Sequence, residues 1–359
     1  MRIAVRVDAS PRIGLGHLKR CLSLADALRH AGAEVVFICR RLGVDVRAWL
    51  SPTPFVLFEL PSPPPEAPIG ETPAYAAWAG VCQAHDCEET VEALRALGSF
   101  HWVVVDHYAF DESWHRGVAA ASGARIAVID DLADRPLAAD LLIDHNFSED
   151  HRMKYVDRIA ASTRVLGGPR FALLGSNYAD APRYRSRSEV HSIGIFMGGT
   201  DPDNLSACVL DACREVIGLR QPIEIVTTRA NPHLAWLEEI CQRWPDTSLS
   251  IDLSDLAGFF ARHDLQIGAG GGATWERCCI GAPTLAMIAA DNQRKVLYPL
   301  QALGVLHAVP EVPPGIQDIS RETDLLIKDG ELRAGLAARA QKLVDGNGAA
   351  RVANQLLRT

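Results

Sequence analysis

Ile267-Gly-Ala-Gly-Gly-Gly-Ala-Thr-Trp-Glu-Arg-Cys-Cys-Ile-Gly-Ala-Pro283 is the stretch whose reading decides the fold. Asp264 to Ile267 reads as a buried strand, and a glycine cluster and then a helix carrying Glu276 and Arg277 follow it. Gly268, Gly270, Gly271 and Gly272 lack Cβ, so the backbone there can turn sharply and approach a ligand. The helix opens on N–H groups without intrahelical acceptors and on the positive end of its dipole, a pairing that suits phosphate. A ligand-free strand-to-helix turn would need fewer glycines. Glu276 reads either as a charge favourable to that dipole or as an acceptor for ribose hydroxyls. Arg277 reads as paired with an acid or exposed.

The same strand–glycine loop–helix unit recurs. Arg2 to Asp8 alternates at Ile3, Val5 and Val7, a strand. A loop with Gly14 and Gly16 leads into a helix whose buried face is Leu18, Cys21, Leu22, Ala25 and Leu28. Further strands are expected at Glu34–Cys39, Phe55–Leu60, His101–Val105, Arg125–Ile129 and Leu141–Ile143, with a long helix from about Tyr75 to Leu97. The proline-rich run from Pro61 to Pro73 can form neither ladder nor helix interior and is expected as an exposed loop. From Asn146 to about Arg187 the alternation fades. It resumes at His191–Met197, which runs into Gly198-Gly-Thr-Asp-Pro-Asp-Asn204, and continues with strands at Ile223–Val226, Thr284–Ile288 and Val305–Val309 and a helical tail from Gln317. The expectation is an α/β protein of two Rossmann-like domains, residues 1–175 and 186–359.

Size agrees, because 359 residues exceed one average core. Apolar residues at 48% and charged residues at 22% are ordinary for a soluble globular protein. A net charge of −8 disfavours nucleic acid or an anionic membrane as main partner, so an anionic substrate would need local positive potential. No apolar run is long enough for stable membrane insertion. The nine cysteines are scattered, without Cys-x-x-Cys pairs, and read as reduced thiols of a cytoplasmic protein.

The first glycine loop, Gly14-Leu-Gly-His17, lacks the third glycine of a dinucleotide fingerprint, and no loop continues into Gly-Lys-Ser/Thr. Nicotinamide, flavin and P-loop chemistry are therefore disfavoured, and no cofactor is expected. His17 stands where a helix N-terminus disfavours the imidazolium, as a general base near neutral pH requires, or else it is a capping or solvent-facing histidine. Asp201-Pro-Asp203 matches an Asp-x-Asp metal signature formally, but after Gly198-Gly199 it reads better as a turn with a helix cap, so no metal is expected. Asp8, Asp106 and Tyr108 close strands of the first half and read either as ligand contacts or as caps and packing.

Read in order, Arg6-Val-Asp8 with Ile13-Gly-Leu-Gly-His17, Val105-Asp-His-Tyr108, Ile129-Asp-Asp-Leu-Ala-Asp-Arg-Pro136, Gly198-Gly-Thr-Asp-Pro202, Gly268-Ala-Gly-Gly-Gly272, Trp275-Glu-Arg-Cys-Cys279 and Asp291-Asn-Gln293 resemble the PseG family. These are the UDP-2,4-diacetamido-2,4,6-trideoxy-β-L-altropyranose hydrolases of pseudaminic acid biosynthesis. The resemblance implies a GT-B fold, two Rossmann-like domains facing across a cleft, similar to MurG-type glycosyltransferases. It implies His17 as the catalytic residue; Gly14 and Gly16 are expected beside the substrate, and Asp8, Asp106 and Tyr108 become candidates for sugar contacts. It further implies that Gly198, Gly199, Thr200 and Asp201 hold UDP, together with Ala269, Gly270, Gly271 and Gly272, and Thr274 is expected beside them. Glu276 falls on the ribose-binding acid and Asn292 on a residue near sugar and phosphates. One departure is Gly175, which stands where the family carries Arg. The expected reaction is metal-independent, inverting hydrolysis of a UDP-sugar. A UDP-sugar-dependent glycosyltransferase and a non-catalytic UDP-sugar-binding protein are the alternatives, and the oligomeric state is open.

Overall fold

The computed structural model describes residues 1–67, 72–288, 291–310 and 313–358, with the backbone alone for Asp291 and Asn292. It divides into two compact units, Met1–Ser176 with Asn347–Thr359, and Asn177–Gly346.

The first unit is built on seven parallel strands: β1 (Arg2–Val7), β2 (Glu34–Arg40), β3 (Val56–Leu60), β4 (Trp102–Asp106), β5 (Arg125–Ile129), β6 (Leu141–Asp144) and β7 (Arg164–Gly167). Their order is β3-β2-β1-β4-β5-β6-β7, every neighbouring pair parallel. Parallel strands covered by helices on both faces read as near-continuous apolar runs. Trp102-Val-Val-Val105 is such a run, with every residue at most 1% exposed. One face packs Ile3, Val5, Val7, Phe37 and Val104 against α1 (Gly16–His30), and the other packs Ala4, Val36, Val103 and Val105 against α2 (Gln83–Leu97). The helix expected from Tyr75 begins instead as a short 3-10 turn, Ala76–Ala79, and stops at Gly80, whose φ of +73° no helix continues.

The second unit has six parallel strands: β8 (Ile193–Phe196), β9 (Ile223–Thr227), β10 (Thr247–Ile251), β11 (Leu265–Ala269), β12 (Thr284–Met287) and β13 (His307–Ala308). They lie in the order β10-β9-β8-β11-β12-β13. Its glycine loops precede α3 (Leu205–Asp211) and α4 (Ala273–Ile280). Each sheet reverses its winding once, between β1 and β4 and between β8 and β11. Open α/β sheets bind ligands at the carboxyl ends of the strands on either side of such a reversal.

The expected second domain, 186–359, needs one correction. The last helix, α5 (Gly348–Leu357), belongs to the first unit. Its Ala349, Val352, Ala353 and Leu356 join the α1 side of the core, and the Leu356 carbonyl accepts the Trp102 indole N–H at 3.0 Å. Among the described residues no helix is long and apolar enough to cross a membrane.

Gly348 sets how closely α5 docks, because a Cβ there would come within 2.6 Å of the Ala172 backbone nitrogen. Gly348→Val is expected to destabilise the first unit by about 1–3 kcal/mol through this overpacking, read as a lowered urea midpoint. An unchanged midpoint would show that α5 does not need the close approach.

Candidate functional site

At the first reversal point β1 and β4 lie side by side, Val7 opposite Asp106. The chain leaving β1 turns at Gly14, whose φ of +76° and N–H to Ser10 carbonyl contact of 2.8 Å bring it into α1. His17 and Arg20 sit three residues apart on α1 and so share a face. Both meet Asp106. His17 Nδ1 lies 2.6 Å from Asp106 Oδ1, while the Arg20 guanidinium donates from Nε to Oδ2 and from Nη2 to Oδ1, each at 2.6 Å.

Burial of Asp106 works to raise its pKa, but the Arg20 charge and then His17 outweigh it and hold the carboxyl far below the usual range. A carboxylate only accepts, so the hydrogen-bond network assigns the hydrogen of the neutral His17 ring to Nδ1 and a lone pair to Nε2. Arg20 Nη2, 3.1 Å from Nδ1, is a second donor to the same oxygen and not a partner of the ring. Tyr108 and Trp78 pack edge-on to the imidazole at centroid distances of 4.7 and 6.0 Å. The Tyr108 hydroxyl donates to Asp131, which also accepts Asn146 Nδ2 at 2.8 Å. An oriented imidazole with one nitrogen held by a buried carboxylate is the arrangement of a general base.

Two expected sugar contacts change role. Asp106 is 1% exposed and turned onto His17 and Arg20, so it orients the ring. Asp8 is fully buried: the Arg6 guanidinium takes both its oxygens at 2.5 and 2.9 Å, and the Arg40 backbone N–H adds a third bond at 2.6 Å. Arg6 and Arg40 also bind Asp86 of α2, so Asp8 ties strands to helix beneath the site and is closed to a ligand. Gly14 and Gly16 border open space and stay available to a substrate.

In the second unit the glycines divide by task. A Cβ on Gly268 would come 2.5 Å from Arg277 Nη1, and one on Gly270 would come 2.9 Å from Leu297 Cγ. These two serve packing. Gly271 and Gly272 meet nothing within 4 Å and lead into the first turn of α4, whose N–H groups suit an anion. Gly198, at φ +96°, also borders open space, and Gly199 packs on Thr228. Thr200 is exposed.

Asp201 is not free for a ligand. Its two oxygens accept the Leu205 and Ser206 backbone N–H groups at 2.8 and 2.9 Å, capping α3, and it is 3% exposed. Thr274 is likewise buried, with Oγ1 accepting from Arg277 Nη2 at 3.3 Å. Arg277, expected at an ion pair or in solvent, is 1% exposed and has no carboxylate partner among the described residues. Glu276 is half-buried, and with burial it pushes the nearby Tyr178 hydroxyl up. The side chain of Asn292 lies outside the described residues. The sequence reading missed Arg20, Trp78 and Asn146, and had Asp131 only in an acidic cluster read as backbone caps. Only Arg20 carried a local signal, its helical spacing from His17.

Two doubly wound parallel sheets, each with its loops at the reversal point, define the GT-B class of fold. Acinetobacter baumannii MurG shares it with a TM-score of 0.67 and 14% identity, over 100% of this chain and 99% of that one. Among curated proteins the chain is similar to the Campylobacter jejuni UDP-2,4-diacetamido-2,4,6-trideoxy-β-L-altropyranose hydrolase, 24% identical over 259 residues, 72% of this chain and 80% of the relative. It is also similar to the Bacillus subtilis spore coat polysaccharide biosynthesis protein SpsG, 25% identical over 198 residues, 54% of this chain and 58% of that relative's length. No model of a known protein family matches.

Buried histidines around the site give a pH signature. His115, with neither ring nitrogen partnered, is pushed down to about 3 by burial and then by Arg135, and His145 is pushed down to about 4 by burial and then by Arg20. Unfolding returns both to about 6.5, so the unfolded chain binds more protons below that pH. Their contribution is complete above pH 6.5 and is lost as pH falls toward 4, at up to about 1.4 kcal/mol per pH unit for each histidine. Urea denaturation across this range is expected to show that slope, reduced in His145→Gln. A flat profile would contradict the burial of neutral rings.

Proposed function

We propose that this chain hydrolyses a UDP-linked 2,4-diacetamido-2,4,6-trideoxy sugar to UDP and the free sugar, with inversion at the anomeric carbon and without a metal. The observation that carries the reading is the His17–Asp106–Arg20 cluster at the β1/β4 reversal point, in a chain similar to a hydrolase of that description. His17 Nε2 removes a proton from water as the water oxygen bonds to the anomeric carbon. The bond from that carbon to the β-phosphate oxygen breaks, and its electron pair leaves with UDP. The imidazolium so formed is stabilised by the Asp106 carboxylate and then releases its proton to solvent. Asp106 thus fixes which nitrogen is basic and offsets the charge that develops on the ring.

Charge building on the departing diphosphate needs oriented donors. In the second unit the reading assigns that task to backbone N–H groups at Gly198, Gly271 and Gly272 and to the first turn of α4, where each fixed donor is worth about 3 kcal/mol of barrier. Thr200 and Glu276 complete this binding set as contacts to phosphate and ribose, and Asn292 is proposed beside the sugar. Tyr108 forms one wall of the sugar site on the first unit. The motif resemblance to PseG carries the pathway part of the proposal, pseudaminic acid biosynthesis, and a cytoplasmic location is in keeping with nine free cysteines.

The same fold also supports transfer to an acceptor hydroxyl, and incubation without acceptor separates the two. UDP and free sugar are expected from the UDP-sugar and water alone, whereas product only on addition of an acceptor would overturn hydrolysis. His17→Asn and Asp106→Asn are each expected to lower kcat by about 10²–10⁴ with UDP affinity nearly unchanged. Equal loss of UDP affinity would make the cluster structural. Turnover is expected to survive excess EDTA.

A further inference from the structure

Arg277 is a buried cation without a counter-ion among the described residues. Its side chain runs back toward the start of α4, as helical side chains do, and brings the guanidinium beneath the glycine loop. Nη2 donates to the Ala269 carbonyl at 2.7 Å and to Thr274 Oγ1 at 3.3 Å. Nε and Nη1 are buried with no acceptor. Gly268 makes the room, since a Cβ there would stand 2.5 Å from Nη1. Burial pushes the guanidinium down to about 10, which leaves it charged at neutral pH.

A buried charge with no partner is strongly unfavourable unless something else compensates it. Nearby charge offsets it only in part: Cys278, Glu276 and Tyr178 act against burial, and the guanidinium still ends below its ordinary value. Glu276 also interacts with Tyr178. The partial positive charge of the α4 N-terminus lies on the same side as the guanidinium, so the two sources add. Gly271 and Gly272 leave open space immediately before that turn.

We propose that Arg277 is a positioning residue whose missing counter-ion is the diphosphate of the bound nucleotide: it acts from beneath the loop, through the field it adds to the α4 N-terminus. This rests on the UDP-sugar reading of the second unit and assigns its diphosphate selectivity to one side chain. The prediction is specific to charge. Arg277→Met is expected to weaken UDP by about 10- to 100-fold, what one unit charge several ångströms from a phosphate supplies at an effective dielectric of about 20. Uridine, which carries no phosphate, is expected to bind the variant as it binds the unaltered protein.

Calorimetric titration of UDP and of uridine into the unaltered protein, Arg277→Met and Arg277→Gln tests this without turnover. Gln keeps a donor for the Ala269 carbonyl, so it serves if Met does not fold, and the same selective loss is expected. Arg277→Lys, which keeps the charge, is expected to recover part of the UDP affinity. Parallel weakening of UDP and uridine, or no weakening of either, would overturn the role of Arg277 and leave the UDP site standing. Failure of the unaltered protein to bind UDP would overturn both.

Discussion

One carboxylate organises the chemistry of the first unit. Asp106 closes β4 at the reversal point of the sheet, buried, and is met there by an imidazole and a guanidinium from consecutive turns of α1. An ionised carboxylate in that place would be costly alone, and Arg20 is what keeps it ionised. Its charge in turn fixes the orientation and tautomer of His17. The imidazole, the carboxylate that orients it and the cation that sustains the carboxylate therefore form one interdependent cluster. The Arg6–Asp8–Arg40–Asp86 network lies deeper and anchors the strand ends from which the cluster is presented.

The second unit solves the opposite electrostatic problem. On the proposed reading an anion is bound by a chain with a net charge of −8, so positive potential has to be local. Its loops supply main-chain donors, and Asp201, one of the two acids of the metal-like Asp201-Pro-Asp203 run, caps α3 with both oxygens. Beneath the other loop lies Arg277, whose Nε and Nη1 find no acceptor among the described residues. On the proposed reading both units act at the point where sheet winding reverses, one with side chains and the other with backbone.

Much of this was legible in the sequence because it is local. Alternation at Ile3, Val5 and Val7, the glycine-punctuated loops and the helix-face spacing of Leu18, Cys21, Ala25 and Leu28 all depend on residues close in the chain. The losses came where tertiary neighbours decide. Asp8 and Asp106 look alike, each an acid at the end of an apolar strand, and only the arginines placed around Asp8 show that it is an anchor. β7 and β10 were missed because an edge strand such as Thr247-Ser-Leu-Ser-Ile251 is half-polar and short. The return of α5 to the first unit has no sequence marker beyond an amphipathic pattern. Gly268 and Gly271 are identical in sequence, yet one makes room for Arg277 and the other faces open space.

The central claim is that a water activated by His17 attacks the sugar carbon and leaves the phosphorus untouched. Turnover of the UDP-sugar in ¹⁸O-labelled water tests it most directly, with both products read by mass spectrometry. The account predicts the heavy oxygen on the anomeric carbon of the free sugar and unlabelled UDP. Label on the β-phosphate, or no release of sugar until an acceptor is added, would contradict it.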